Sequence, residues 1–412
     1  MNKRVVITGM GVVSPVGNTI ETFWDSLKEG ACGIKLLPEA LQLEDIQVRV
    51  AGSVTDFSPE PYLDRREAKR MARFSQFAVY ASHKAVEMAN LDMTKEDANR
   101  VGVIIGSGVG ALGVIEEEVL KLHQKGAKRV SPLFVPMAIV NMAAGNVSIR
   151  LGAKGVCSTV VTACASGTHS IGEAYRNLQA GINDVIIAGG TESCICPIGI
   201  AGFNSLTALS TSQDPKRASI PFDKERNGFV LGEGAGILVL ETLDHAIERG
   251  ARILGEIVGY GATGDAYHIT KPAENGEGAA RAMALAIQEA GIKPEEIDYI
   301  NAHGTSTEFN DLYETEAIKS VFGENTKVAV SSTKSMMGHL LGAAGSVEAV
   351  AIVKAVEEDF IPPTIGYEVA DENCDLDYIP NEGRSQKVRY AMSNSLGFGG
   401  HNATLIVKKW EE

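Results

Sequence analysis

Short apolar runs alternate with segments of helical spacing along this chain, and the alternation is run through twice. The first round opens on a strand-like run from Arg4 to Thr8. Helix-like Phe74 to Ala89 comes next, then apolar runs at Val101 to Ile105, Val160 to Thr162 and Val185 to Ala188, and a glycine-rich hairpin from Gly228 to Leu240. The second opens on Ile253 to Tyr260. It continues through helix-like Gly278 to Ala290, the runs Tyr299-Ile300 and Val328 to Val330, a helix from Gly345 to Val356, and strands near Val388 to Ser393 and Thr404 to Val407. Periods of two and 3.6 alternating in this way predict an α/β fold, and their repetition points to duplication. No low-complexity linker separates the rounds, so the halves, 1–251 and 252–412, are expected to pack as one unit.

Composition fits a large buried core. Of the 412 residues, 44% are hydrophobic and only 6% aromatic, so the interior must be built from aliphatic and small side chains. No apolar run reaches the ~18–20 residues that span a bilayer. The N-terminal Met1-Asn2-Lys3-Arg4 precedes an apolar run, as in a signal peptide. Gly9, Gly11 and Pro15 break that run and it leads to no small-residue cleavage site, so it reads as a first strand. Six cysteines over this length make no disulfide framework, and a cytoplasmic location with reduced thiols is expected. Cys194 and Cys196 form a C-x-C without a second pair, and no metal site is expected. A net charge of −14 disfavours nucleic acid or an anionic membrane as partner.

One cysteine is placed like a nucleophile. Cys164 lies between the apolar run Thr159 to Thr162, read as a buried strand, and a helical segment containing Ser170 to Leu178. A strand turning straight into a helix sets the thiol at the helix N-terminus, where the dipole and free N–H groups favour thiolate. That dipole contributes ~1 kcal/mol, less than the ~1.4 kcal/mol of one pKa unit, so full activation needs a histidine. Two are available. His303 comes after the run Ile297 to Ile300, and His339 after Val328-Ala329-Val330. Each is flanked by glycine and hydroxyl residues in a loop after a strand, the usual place for active-site groups in open α/β sheets.

These segments, with Lys334-Ser335 and Asn394-Ser395-Leu396-Gly397-Phe398-Gly399-Gly400-His401-Asn402, come in the order found in β-ketoacyl-acyl carrier protein synthases. The chain resembles the elongating type II branch of that family over essentially its whole length. Its Cys-His-His set differs from initiating synthases, which carry Asn for one His, and from chain-length-factor relatives, which lack the cysteine. The resemblance implies a thiolase-like five-layered αβαβα sandwich of two duplicated halves, a homodimer, and an acyl carrier protein as partner. It also implies acylation of Cys164, then decarboxylative condensation with a malonyl group. His303 and His339 would stabilise the enolate, and the N–H groups of Cys164 and Phe398 would form an oxyanion hole. Lys334 and Glu348 would orient the histidines; their bland reading is a solvated ion pair. Thr305 and Thr307 would hold the phosphopantetheine arm, Val109 and Phe203 would line the acyl pocket, and Phe398 beside Gly399 would gate it. Val109 stands where isoleucine is usual, and Met337 where many relatives have threonine. A type I elongating or polyketide-type synthase remains a rival within the class. A non-catalytic acyl-binding partner subunit is the rival outside it.

Gly108-Val109-Gly110-Ala111-Leu112-Gly113 fits a dinucleotide fingerprint. A dinucleotide site needs a second strand ending in an acid soon afterwards, but the stretch Lys125 to Pro132 is basic and proline-broken. No cofactor is therefore expected beyond the pantetheine that arrives with the carrier. Arg65, Arg66, Lys69, Arg70 and Arg73 form a basic run whose spacing predicts one helical face, and Lys125, Lys128 and Arg129 a second group. On an acidic enzyme with an acidic carrier partner, these are read as docking residues.

Overall fold

The computed structural model describes residues 2–411, so Met1 of the N-terminal run and Glu412 lie outside the described residues. Ten strands make the main sheet: β1 (Val5–Val13), β2 (Val101–Gly106), β3 (Cys157–Ser158), β4 (Val185–Glu192), β5 (Gly234–Thr242), β6 (Gly255–Gly264), β7 (Tyr299–Asn301), β8 (Ala329–Ser331), β9 (Tyr390–Gly397) and β10 (His401–Lys408). Their order is β8-β7-β9-β10-β6-β1-β5-β4-β2-β3. Outward from the centre, the two halves read β1-β5-β4-β2-β3 and β6-β10-β9-β7-β8. In each, two antiparallel pairings give way to two parallel ones. Within the sheet the halves join through Val5, Val6 and Ile7 of β1, antiparallel to Ile257, Glu256 and Gly255 of β6.

Helix α1 (Arg73–Met88) covers the outer face of β1 and β5. Helix α2 (Ser166–Gln179) packs on β4 and β2, α3 (Glu277–Ala290) covers β6 and β10, and α4 (Ala344–Glu358) touches β5 on one side and β9 on the other. Helices α2 and α4 pack together as the middle layer, which completes the αβαβα sandwich. Every residue of α4 from Ala344 to Val356 is buried, as a helix with strands of both halves packed around it requires.

The duplication is also written in side-chain size. A Cβ added to Gly11 of β1 would lie 1.9 Å from the carbonyl oxygen of Ala81 in α1, and one on Gly9 2.1 Å from that of Ala85. In the second half, a Cβ on Gly261 or Gly259 of β6 would stand 1.9 Å or 2.3 Å from the carbonyl oxygen of Ala282 or Ala286 in α3. Any side chain at these four positions would push the covering helix off its strand.

Three expectations are corrected. Thr159 to Thr162 is irregular, and the only strand there is Cys157–Ser158 at the sheet edge, with both residues exposed; an edge paired on one side supports only two residues of ladder. Gly228 to Leu240 is not a hairpin: β5 is a single central strand held by β1 and β4. The basic run is not one helix either, because Arg65–Ala68 is a single turn closed by an Asp64–Glu67 capping box. No helix of the described residues is long and apolar enough to cross a membrane.

Candidate active site

The candidate nucleophile sits on a strained corner. Ala163 has φ 50°, a left-handed conformation unusual for a residue with a Cβ, and Cys164 lies in the 3₁₀ turn Ala163–Ala165 that runs into α2. Ser166 pins the corner: its hydroxyl accepts from the Thr162 N–H at 2.9 Å and donates to the Ala163 carbonyl at 2.7 Å. The second half repeats the device, with Leu341 at φ 48° in the turn Leu341–Ala343 before α4. There the place of the cysteine is taken by Gly342.

A cavity of about 570 Å³ reaches the corner. Its walls include Cys164, Phe203, His303, Thr305, Thr307, His339 and Phe398, so these sequence-selected residues converge. Burial pushes the Cys164 thiol up to about 12; the Lys334 ammonium and the backbone N–H groups of Phe398 and of Cys164 itself act in the opposite direction. The resting group is therefore a thiol. The helix N-terminus alone does not produce a thiolate, in line with its contribution of only ~1 kcal/mol, because desolvation outweighs the dipole. The same two N–H groups face the sulfur, as a pair of oxyanion donors must.

The His303 and His339 rings stand 5.2 Å apart between centroids and nearly perpendicular, at 87°. Both are buried, and their Nδ1 atoms have no hydrogen-bond partner. Burial, reinforced by the nearby Lys334 charge, holds both well below the usual histidine range, so both rings are neutral. Lys334 reaches Glu348 at 2.5 Å with each side chain only 2% exposed, which removes the solvated-pair reading. Burial raises the Glu348 carboxyl and the Lys334 charge opposes it.

Around the cysteine, an apolar cluster joins Leu209, Phe229, Leu231 and Leu341 with Val109 and Phe203. Phe229 bridges pocket and histidine, with its ring 5.6 Å from Phe203 and 5.3 Å from His339. The Thr305 and Thr307 hydroxyls are 2.9 Å apart. After Phe398, Gly399 and Gly400 take φ of 88° and 73°, which gives the aromatic residue a corner of its own.

Two anchoring acids escaped the reading of the sequence. Glu192, fully buried at the end of β4, accepts from the Ser107 hydroxyl (2.7 Å) and from the N–H groups of Gly108 (2.7 Å), Val109 (3.2 Å), Gly110 (3.0 Å) and Gly342 (3.1 Å). The glycine loop that imitates a dinucleotide fingerprint thus wraps an internal carboxylate. Glu314 accepts from the N–H groups of His303 and Gly304, each at 2.8 Å, and burial lifts its carboxyl to about 7. Nothing in the sequence marked these two acids among 52.

Of the basic residues, Arg66, Lys69 and Arg70 are exposed around the short turn, and Lys128 and Arg129 lie exposed on the turn Ala127–Arg129. Arg73 leaves this group: it pairs with Glu233 at 2.9 Å and lies 4.6 Å over the Phe77 ring.

Comparison with known proteins gives the family. Residues 2–246 match the N-terminal domain model of the beta-ketoacyl synthases and residues 254–368 the C-terminal domain model, so the chain belongs to that family. Among its relatives are proteins named 3-oxoacyl-[acyl-carrier-protein] synthase 2 from Staphylococcus aureus (strain COL) and from Synechocystis sp. Each is 52% identical over 411 residues, covering 99% or more of both chains. A beta-ketoacyl synthase structure from Burkholderia phymatum is 36% identical, with TM-score 0.92 over 99% of this chain and 100% of that one. A structure of a type II polyketide acyl-carrier protein with its ketosynthase matches over 100% of both chains at 34% identity and TM-score 0.93.

Proposed function

We propose that the protein is the elongating condensing enzyme of a type II fatty acid synthase, joining an acyl group to malonyl-acyl carrier protein. The observation that carries this reading is the meeting of Cys164, His303 and His339 in one cavity, with the Cys164 and Phe398 N–H groups facing the sulfur. The cysteine sulfur attacks the acyl thioester, its proton ends on the departing pantetheine thiol, and the acyl group stays on Cys164. The two N–H groups stabilise the tetrahedral oxyanion. Malonyl thioester then enters, its carbon–carboxylate bond breaks, and carbon dioxide leaves. The electron pair forms an enolate, towards which neutral His303 and His339 each donate a hydrogen bond. The carbanion attacks the acyl carbon, the bond from that carbon to the Cys164 sulfur breaks, the departing thiolate takes up a proton, and the product is 3-oxoacyl-carrier protein. Lys334 and Glu348 set the field around the histidines, Thr305 and Thr307 hold the arm, and Phe398 with Gly399 gates the pocket formed by Val109 and Phe203.

No cofactor of the protein's own enters this scheme, in keeping with the occupation of the glycine loop by Glu192. The acidic carrier docks on Arg66, Lys69, Arg70, Lys128 and Arg129 in the cytoplasm. A homodimer is favoured by the exposed edge strand β3 and by exposed Val119, Leu120, Val135, Ile139, Ile149 and Val161. The halves 1–251 and 252–412 supply cysteine and histidines respectively. The test incubates acyl- and malonyl-carrier protein with wild type and Cys164→Ala. Wild type should yield the 3-oxoacyl product and the variant none; equal yields would reject the reading.

A further inference from the structure

The cavity wall carries two cationic side chains. Arg226 is only 4% exposed and fully committed, paired with Asp371 at 2.6 Å and bonded to the carbonyls of Asp223, Thr307 and Glu308. Lys271 is different. It is exposed at the rim, its ammonium stands 5.9 Å over the Phe309 ring, and no carboxylate lies within 4.0 Å of it among the described residues.

The backbone beneath Lys271 is fixed. His268 Nδ1 accepts from the N–H groups of Thr270 and Lys271, each at 3.1 Å, and Asp265 accepts from the Ala273 N–H at 3.0 Å. The Gly399 N–H donates to the Ile269 carbonyl at 2.8 Å, which ties this loop to the Phe398 corner. Of the acids lining the cavity, Asp265 is occupied by Asn402 at 2.6 Å, while Glu308 is exposed and opposes an incoming anion.

We infer that Lys271 binds the phosphate ester of the pantetheine arm that delivers the thioester. The inference rests on the condensing-enzyme reading. The arm's thioester must reach the sulfur at the base of the cavity, and its only charge is the phosphate at the other end, which leaves that charge at the rim. A positioned ammonium with no counter-ion meets it there. Lys271 is thus a positioning residue, acting on KM.

The test measures acylation of Cys164 by hexanoyl-phosphopantetheine and by hexanoyl-pantetheine, read by mass spectrometry, in wild type, Lys271→Gln, Lys271→Arg and Glu308→Gln. Wild type should prefer the phosphorylated thioester by about ten-fold in kcat/KM, the size expected of one hydrogen bond to a charged group. Lys271→Gln should abolish the preference through KM at unchanged kcat, Lys271→Arg should keep it, and Glu308→Gln should enlarge it. A preference absent from wild type, or surviving in Lys271→Gln, overturns the inference while leaving the condensing reading standing. Failure of either thioester to acylate wild-type Cys164 overturns both.

Discussion

Replacing Glu192 by Gln tests whether an internal carboxylate builds the acyl end of the site. All five of its partners are donors, which favours the carboxylate against the burial that raises its pKa; an amide would turn a hydrogen toward N–H groups. With the amide nitrogen in place of Oε1, the Ser107 hydroxyl can rotate to accept. The Val109 and Gly110 N–H groups lose Oε1 as acceptor, and each keeps only its second contact, Oε2 at 3.3 Å and the Ser107 hydroxyl at 3.1 Å. Each lost bond to the charged group costs about 1.5–3 kcal/mol, and relief from burying a charge returns part of it. The net loss should be about 3 kcal/mol. Urea unfolding monitored by circular dichroism should show a lower midpoint at unchanged slope. Acylation should slow as well, because Val109 and Gly342 are both tied to this carboxylate. A loss below about 1 kcal/mol would refute the claim that Glu192 organises the loop.

Three further outcomes are expected. His245 lies between Glu241 (2.6 Å from Nδ1) and Glu96 (2.9 Å from Nε2), which raise its pKa. Its stabilisation is complete below the ordinary value of about 6.5 and is lost as pH rises through the raised folded value. The stability advantage of wild type over His245→Gln should therefore shrink from about pH 5 to about pH 9, and a constant gap across that range would contradict the pairing. Val109→Ile adds one methylene to the apolar cluster around Cys164, about 0.8 kcal/mol of contact, and should shift acyl preference toward shorter chains. An unchanged chain-length profile rejects a role for Val109. Charge reversal of exposed Arg66 and Lys69 should raise the KM for acyl-carrier protein at least about ten-fold with kcat largely intact, whereas an unaltered KM removes these residues from the docking surface.

The layered α/β fold was legible because the apolar runs of β1, β2, β4 and β9 are fully or almost fully buried strands, and the alternation of strands with helices happens twice. The Cys164 corner was legible from small residues between a strand-like run and a helix. Its neighbours were harder to read. Thr159 to Thr162 looks like a strand by composition, yet it lies at a sheet edge where nothing pairs with it. The Arg66 to Arg73 spacing fits one helix, but Asp64 caps a single turn and Glu233 draws Arg73 away. The resting charge of the thiol could not be read either, since desolvation depends on walls brought from Leu209, Phe229 and Leu341, far apart along the chain. Glu192 and Glu314 were missed because satisfying backbone N–H groups of a distant loop leaves no mark on local sequence.

The most direct measurement is the mass of the Cys164 peptide after brief mixing with acyl-acyl carrier protein in the absence of malonyl substrate. The proposed mechanism predicts one acyl group per site, on Cys164 alone, discharged when malonyl-carrier protein is added to wild type but retained when both His303 and His339 are replaced by Ala. An unmodified Cys164, or discharge at the wild-type rate without the two rings, would contradict it.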